Sequence, residues 1–319
     1  MNQTSSDIQL IGAFEQNKFN MAAAILLTML SLIGNSIVFC VLIKPEFIKI
    51  PLFRYLIAST LVETLSVLFI WASGFPDVFE INSNILNCKL YAYLSIILLQ
   101  IGPWINVLSS LDRYLSVTYP TKYQFRYEFI YQATFLLLIV VLMLSINTPI
   151  LIYERIEENS CGAIEKAGVH LTVLLSGSMH CILPSILMLS LNCLTIYKLI
   201  VTQKQMKKPS FIKEIQLAKV LFSLNFVFIL LNLPYSIYMS ALYFNGINSF
   251  HTFGFHIVVA LQKIDYSCTF FVYFFANKLF RKHAILLCFK NRIQPIEIIP
   301  LWNIKISRIH NAYKASNSS

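Results

Sequence analysis

Polar residues punctuate this chain rather than pervade it. Seven long apolar runs, at 21–43, 55–75, 90–111, 129–153, 167–197, 220–250 and 253–277, are separated by shorter polar stretches. A helix needs roughly 20 predominantly apolar residues to cross a bilayer, and each run reaches that length. The hydrophobicity is continuous rather than alternating, which predicts helices and excludes a membrane barrel of strands about ten residues long. Histidines aside, the ionisable groups that matter inside the runs are Glu63, Lys263 and Asp265. After Asn277 the pattern changes. In "KLFRKHAILLCFKNR" the apolar positions Phe280, Ala284, Leu287 and Cys288 recur at helical spacing among basic residues, as in a helix lying along a membrane interface. The expected architecture is an all-α membrane protein: a tail over 1–20, a bundle of seven transmembrane helices over 21–277, a short amphipathic interfacial helix over 278–290 and a second tail over 291–319.

Composition supports that pattern and charge orients it. Of 319 residues, 57% are hydrophobic and 13% charged, against about 25% charged in a soluble domain whose whole surface faces water. The net charge of +10 would raise nucleic-acid binding as a candidate in a soluble protein. Here its distribution argues for a membrane and no nucleic acid. Most of the lysines and arginines flank one end of the bundle, from Lys44, Lys49 and Arg54 through Arg113, Lys122 and Arg126 to the basic third connection (201–213) and the tail. Acids such as Asp77, Glu80, Glu154, Glu157, Glu158 and Glu165 gather at the other. The positive-inside rule then sets the N-terminus outside and the C-terminus in the cytosol, as for a multi-pass protein of the plasma membrane. The first apolar run follows a polar stretch with Asp7 and Glu15 and is long enough to span, so no signal peptide is expected. Asn2-Gln3-Thr4 is a glycosylation sequon on the outer tail, and Cys288 is a candidate for palmitoylation or a plain membrane-facing thiol. Of seven cysteines only Cys88 and Cys161 fall in or beside outer connections, where an oxidising exterior lets them bridge; two free thiols are the alternative.

Short motifs then narrow the class. The third run closes on "SLDRYLSVTYP", with Asp112, Arg113 and Tyr114, and the first holds Gly34-Asn35. Pro184 sits within the fifth run, and "NLPYSIY" supplies Pro234 and Tyr235 in the sixth. "VYFFANKLFRK" places Tyr273, Asn277, Phe280 and Arg281 where the seventh run meets the interfacial helix. Together with the interval from Cys88 to Arg113, these residues resemble the rhodopsin-like (class A) family of G-protein-coupled receptors, of which this chain looks like a divergent member. The resemblance implies an extracellular ligand, a heterotrimeric G protein as cytoplasmic partner, and no enzyme activity. It implies that Asp112 holds Arg113 at rest, that Glu214 at the end of span six locks onto the same guanidinium, and that Pro184, Pro234 and Tyr273 act as activation pivots. A transporter is the weaker alternative, because no inverted repeat is visible. An intramembrane hydrolase would need facing catalytic pairs, and none is evident.

Several family positions differ. The Asn-Pro-x-x-Tyr motif reads "TFFVY", Thr269 to Tyr273, with Phe270 at the proline. Asn232 stands where span six carries tryptophan, Asn192 where span five carries tyrosine, and span four has no tryptophan. Glu63 occupies the place of the second-span aspartate and Asp265 lies near its depth. Buried carboxylates in a bundle are costly unless paired, so Glu63, Asp265 and Asn35 form a candidate sodium or proton site, with neutral hydrogen-bonded packing as the alternative. Gly102, where a serine is usual, weakens the sodium version. Lys263 stands at the spacing from Tyr273 at which opsins carry the retinal lysine, which makes an opsin-like photoreceptor with retinal the alternative function. Asn232 in the retinal-packing position and Tyr91 in place of a counter-ion carboxylate count against it. Ser95 occupies the position of the amine-binding aspartate, which counts against a small biogenic amine. The expected ligand pocket comprises Tyr91, Ser95, Gln100, His180, Asn232, Tyr235, Tyr238, His256 and Lys263. The outer acids favour a basic neuropeptide, although a solvated loop explains the same acids and a neutral small molecule stays open.

Overall fold

The computed structural model describes residues 22, 25–72, 84–120, 122–123, 128–157, 160–163, 166–202, 208–245 and 251–289. Span one is α1 (Ile25–Leu42), followed by the single turn α2 (Pro45–Ile48). Spans two, three and four are α3 (Pro51–Ala72), α4 (Ile85–Thr118) and α5 (Phe129–Asn147), the last extended by α6 (Ile150–Tyr153). A hairpin of β1 (Glu154–Glu157) and β2 (Ser160–Ala163) comes next. Span five joins α7 (Lys166–Gly177) to α8 (Leu183–Thr202) through a π-helical turn, Ser178–Ile182. Spans six and seven are α9 (Lys208–Asn245) and α10 (His251–Ala276), and α11 (Lys278–Phe289) closes the described chain. Seven helices among the described residues are thus long and apolar enough to cross a membrane.

The helices outrun the apolar runs that foretell them. α9 begins at Lys208 because "KPSFIKEIQLAK" is rich in helix formers and carries its proline in the first turn, where no backbone N–H is needed. α4 begins at Ile85 because the Asn84 side chain accepts a hydrogen bond from the Asn87 amide at 2.8 Å and caps the end. The connection 201–213 shortens accordingly. The antiparallel hairpin, in which Ile156 faces Cys161, departs from an all-α expectation. Each of its strands is four residues long, too short for an alternating pattern to register. The tails 1–20 and 291–319, with Asn2, lie outside the described residues.

Lipid tails are as apolar as leucine, so helices in a bilayer associate through close packing and interhelical hydrogen bonds. Both are present. Ser31 donates to the Tyr266 carbonyl and Ser267 to the Leu27 carbonyl, each at 3.1 Å, joining α1 to α10. A Cβ on Gly34 would stand 3.1 Å from that of Phe270, so glycine lets these two helices touch. Tyr93 donates to the Leu144 carbonyl at 2.7 Å, and Gln100 and Asn147, both buried, exchange amide hydrogen bonds between α4 and α5. Gln100 therefore belongs to the core of that helix pair rather than to a pocket wall. At the Arg113 end, Phe47, Phe53, Leu221, Tyr273 and Phe280 share one buried cluster contributed by α2, α3, α9, α10 and α11.

Candidate functional site

Arg113 is the largest fully buried side chain in the molecule's described part. It sits near the end of α4 and its guanidinium pairs with the Glu214 carboxylate at the start of span six. Such a charge-assisted contact is stronger than a neutral hydrogen bond, and here it ties two helices more than a hundred positions apart in sequence. Asp112 is buried beside Arg113, and Tyr114 is half-buried. Glu214, the more distant of the two expected partners, forms an ion pair with Arg113.

Deeper in the bundle the elements converge on a polar centre. The π-turn adds a residue to one helical turn, a device that often marks functional positions, and it carries His180 inward. Its Met179 carbonyl accepts from the Trp104 indole at 2.9 Å. His180 Nδ1 lies 2.9 Å from the Leu99 carbonyl, so this nitrogen donates. Its Nε2 lies 3.1 Å from Asn232 Oδ1 and 2.9 Å from the Gln262 amide. Asn232 in turn donates to Asp265 at 2.8 Å and to the Phe228 carbonyl at 3.0 Å. Four spans meet in this one network. The Tyr235 ring stands edge-on to His180, with centroids 6.0 Å apart.

Around it lies a cavity of about 30 Å³ whose walls include Glu63, Gly102, Asn106, His180, Asp265 and Thr269, room for about two waters. Glu63 accepts from Ser59 at 3.1 Å and from Thr269 at 3.0 Å. The two expected carboxylates thus reach one chamber. Asn35 does not line it: it is buried in α1, and neither atom of its amide finds a hydrogen-bond partner. In otherwise largely apolar walls, Glu63 and Asp265 bring carboxylates to this chamber, and Asn106 and Thr269 bring neutral side-chain oxygens.

The expected ligand residues divide into separate groups. His180, Asn232 and Tyr235 come together, but as a buried network rather than an open wall. Tyr91 turns toward span two, stacking on Phe69 and donating to its carbonyl at 2.5 Å. Ser95 bonds within its own helix, to the Ala92 carbonyl at 2.9 Å. Lys263 lines a different crevice, with Leu27, Thr28 and Val67 of spans one and two. One helical step sets that divergence: Lys263 and Asp265, two positions apart, project about 200° from each other around α10.

Pro184 is buried in the first turn of α8 and Pro234 lies inside α9. Tyr273 is buried against Phe280, ring centroids 5.3 Å apart. Cys288 is exposed on α11. Cys88 is buried in the first turn of α4, against which β2, the strand that holds Cys161, packs.

Sequence reasoning missed a polar group at the Arg113 end. His283 of α11 donates from Nε2 to Glu46 at 2.6 Å, while its Nδ1 accepts from Lys44 at 3.2 Å. Burial holds the imidazole below its usual pKa; Glu46 opposes this, and Lys44 and Lys282 reinforce it. The spacing of α2 and α11 in sequence offers no hint of the contact.

A comparison with curated proteins found no match. The family described as 7 transmembrane receptor (rhodopsin family) matches residues 34–273, from the glycine of span one to the tyrosine that ends the altered span-seven motif. With its seven apolar helices, the chain belongs to the rhodopsin family of G-protein-coupled receptors, and it is a multi-pass membrane receptor rather than an enzyme.

Proposed function

We propose that this receptor sits in the plasma membrane with its N-terminus outside and carries the signal of an extracellular ligand, a basic neuropeptide, to a heterotrimeric G protein through Arg113. The buried Arg113–Glu214 pair carries the reading. A guanidinium so enclosed is costly to leave unpaired, so parting α9 from α4 leaves a cation in need of a new partner. A cytosolic protein that supplies acceptors there gains affinity only for the parted state, which is what a two-state switch requires. Lysines and arginines concentrated at that end support its facing the cytosol.

The peptide reading is supported by Glu154 and Glu157 on β1, which packs on α4, and by Glu158 next in sequence. Pairing of Cys88 with Cys161 pins this hairpin to the bundle, supported by the packing of β2 on α4. Glu63 and Asp265 hold the sodium ion or proton, supported by their shared chamber. G-protein turnover in membranes from expressing cells tests the central claim. The parent chain raises turnover above background and Arg113→Ala abolishes the rise at equal surface expression; turnover untouched by that substitution refutes the coupling role.

A further inference from the structure

A second cavity opens outward, between the Arg113 ends of α8 and α9. It measures about 270 Å³, against about 30 Å³ in the polar interior, and so can hold part of a molecule much larger than water. Ile196 and Ile200 form the α8 wall; Ile215, Ala218, Lys219 and Phe222 form the α9 wall. The α9 residues follow helical spacing along one stripe. Leu217, Val220 and Leu221, on the opposite stripe, are buried in the bundle core. The groove therefore faces lipid.

Its occupant can be argued from charge. Lys219 is the one polar side chain on the groove among the described residues, and it is exposed. A lysine on a lipid-facing stripe lays its stem along apolar surface and extends its ammonium to the headgroups. The acid nearest to it along α9, Glu214, is engaged with Arg113. An apolar slot with a cation at its rim matches a molecule with a long hydrocarbon chain and an anionic head. We infer that this groove is a binding site for an anionic glycerophospholipid of the adjoining leaflet, one acyl chain lying between α8 and α9 and the headgroup anion paired with Lys219. The orientation proposed above enters only in naming that leaflet the cytoplasmic one. Ile215 directly follows Glu214, so a chain seated here bears on the helix that holds the lock and favours whichever α8–α9 spacing fits it.

The test uses the full receptor in nanodiscs with Phe222→Trp as a reporter, the signal of the parent's own tryptophans being subtracted. Brominated-chain phosphatidylglycerol and brominated-chain phosphatidylcholine are compared as quenchers across mole fraction. A lysine near the surface contributes about 1 kcal/mol toward an anionic lipid, so phosphatidylglycerol half-saturates quenching at roughly fivefold lower mole fraction. Lys219→Gln removes the preference and Lys219→Arg keeps it, which separates lost charge from misfolding. Equal quenching by the two lipids in the reporter protein means ordinary annular lipid and overturns the site. So does a preference that survives Lys219→Gln, or displacement of both lipids alike by a sterol.

Discussion

At the scale of single residues, this receptor relies on side chains whose alternatives are costly. A hydrogen bond to a charged group contributes roughly 1.5–3 kcal/mol, so removing the Glu214 charge shifts the balance between joined and parted helices by about tenfold or more. Glu214→Gln is therefore expected to raise ligand-free G-protein turnover, while Glu214→Asp, which keeps the charge on a shorter stem, raises it less. Gly34 acts by having no side chain. An added methyl group would stand 3.1 Å from Phe270 Cβ, tighter than packed carbons tolerate, and overpacking costs about 1–3 kcal/mol. Gly34→Ala should lower the thermal midpoint of the purified receptor, and Phe270→Gly, which removes the opposing Cβ, should cost less in that background than in the parent. The glycine was plain in the sequence as half of a motif. Its partner was not, because the contact depends on which face of α10 meets α1, and Phe270 replaces the motif's proline.

Elements show where pattern reading succeeds and where it stops. The bilayer imposes a length on each apolar run, so the seven spans and α11 could be read from hydrophobicity alone. The π-turn at Ser178–Ile182 could not: it inserts one residue without changing composition, and it decides that His180 points inward. The Gln100–Asn147 pair was equally hidden, since two amides in apolar runs look like any other polar interruptions. α11 docks through Phe280 and Ala284, buried as their spacing implies, while Leu287 and Cys288 remain exposed. The sequence also left its tether to α2 unseen. His283 accepts from Lys44 only while its ring is neutral, whereas it donates to Glu46 in either protonation state. Its pKa is lowered in the folded chain, so the folded state binds the proton less readily than the unfolded one and stability rises with pH through the imidazole range. The Lys44 contact should be intact at neutral pH and fail as pH falls through the lowered pKa. Corrected for the intrinsic slowing of exchange in acid, the protection of the α11 amides should fall on acidification in the parent but vary far less with pH in His283→Gln.

Across the whole molecule, the polar centre and the lock occupy different depths of the same helices. His180, Asn232 and Asp265 knit spans five, six and seven near the cavity, and α9 carries both Asn232 and Glu214. Any rotation of α9 felt at one is transmitted to the other along a rigid helix. Sodium should register on this axis: replacing sodium by choline at constant ionic strength is expected to change ligand-free turnover in the parent, and Glu63→Gln to abolish the difference. A parent indifferent to sodium, and unchanged by Glu63→Gln, removes the ion site and leaves neutral hydrogen-bonded packing of Glu63 and Asp265. One last feature bears on how the bundle moves. With Phe270 at the motif's proline, α10 contains no residue that lacks an amide hydrogen, and its helix runs unbroken from His251 to Ala276. The seventh span is consequently a stiff post, braced on α1. Under the coupling proposed above, the proline-bearing sixth span bends against it, and signalling is the swing of one door on a fixed frame.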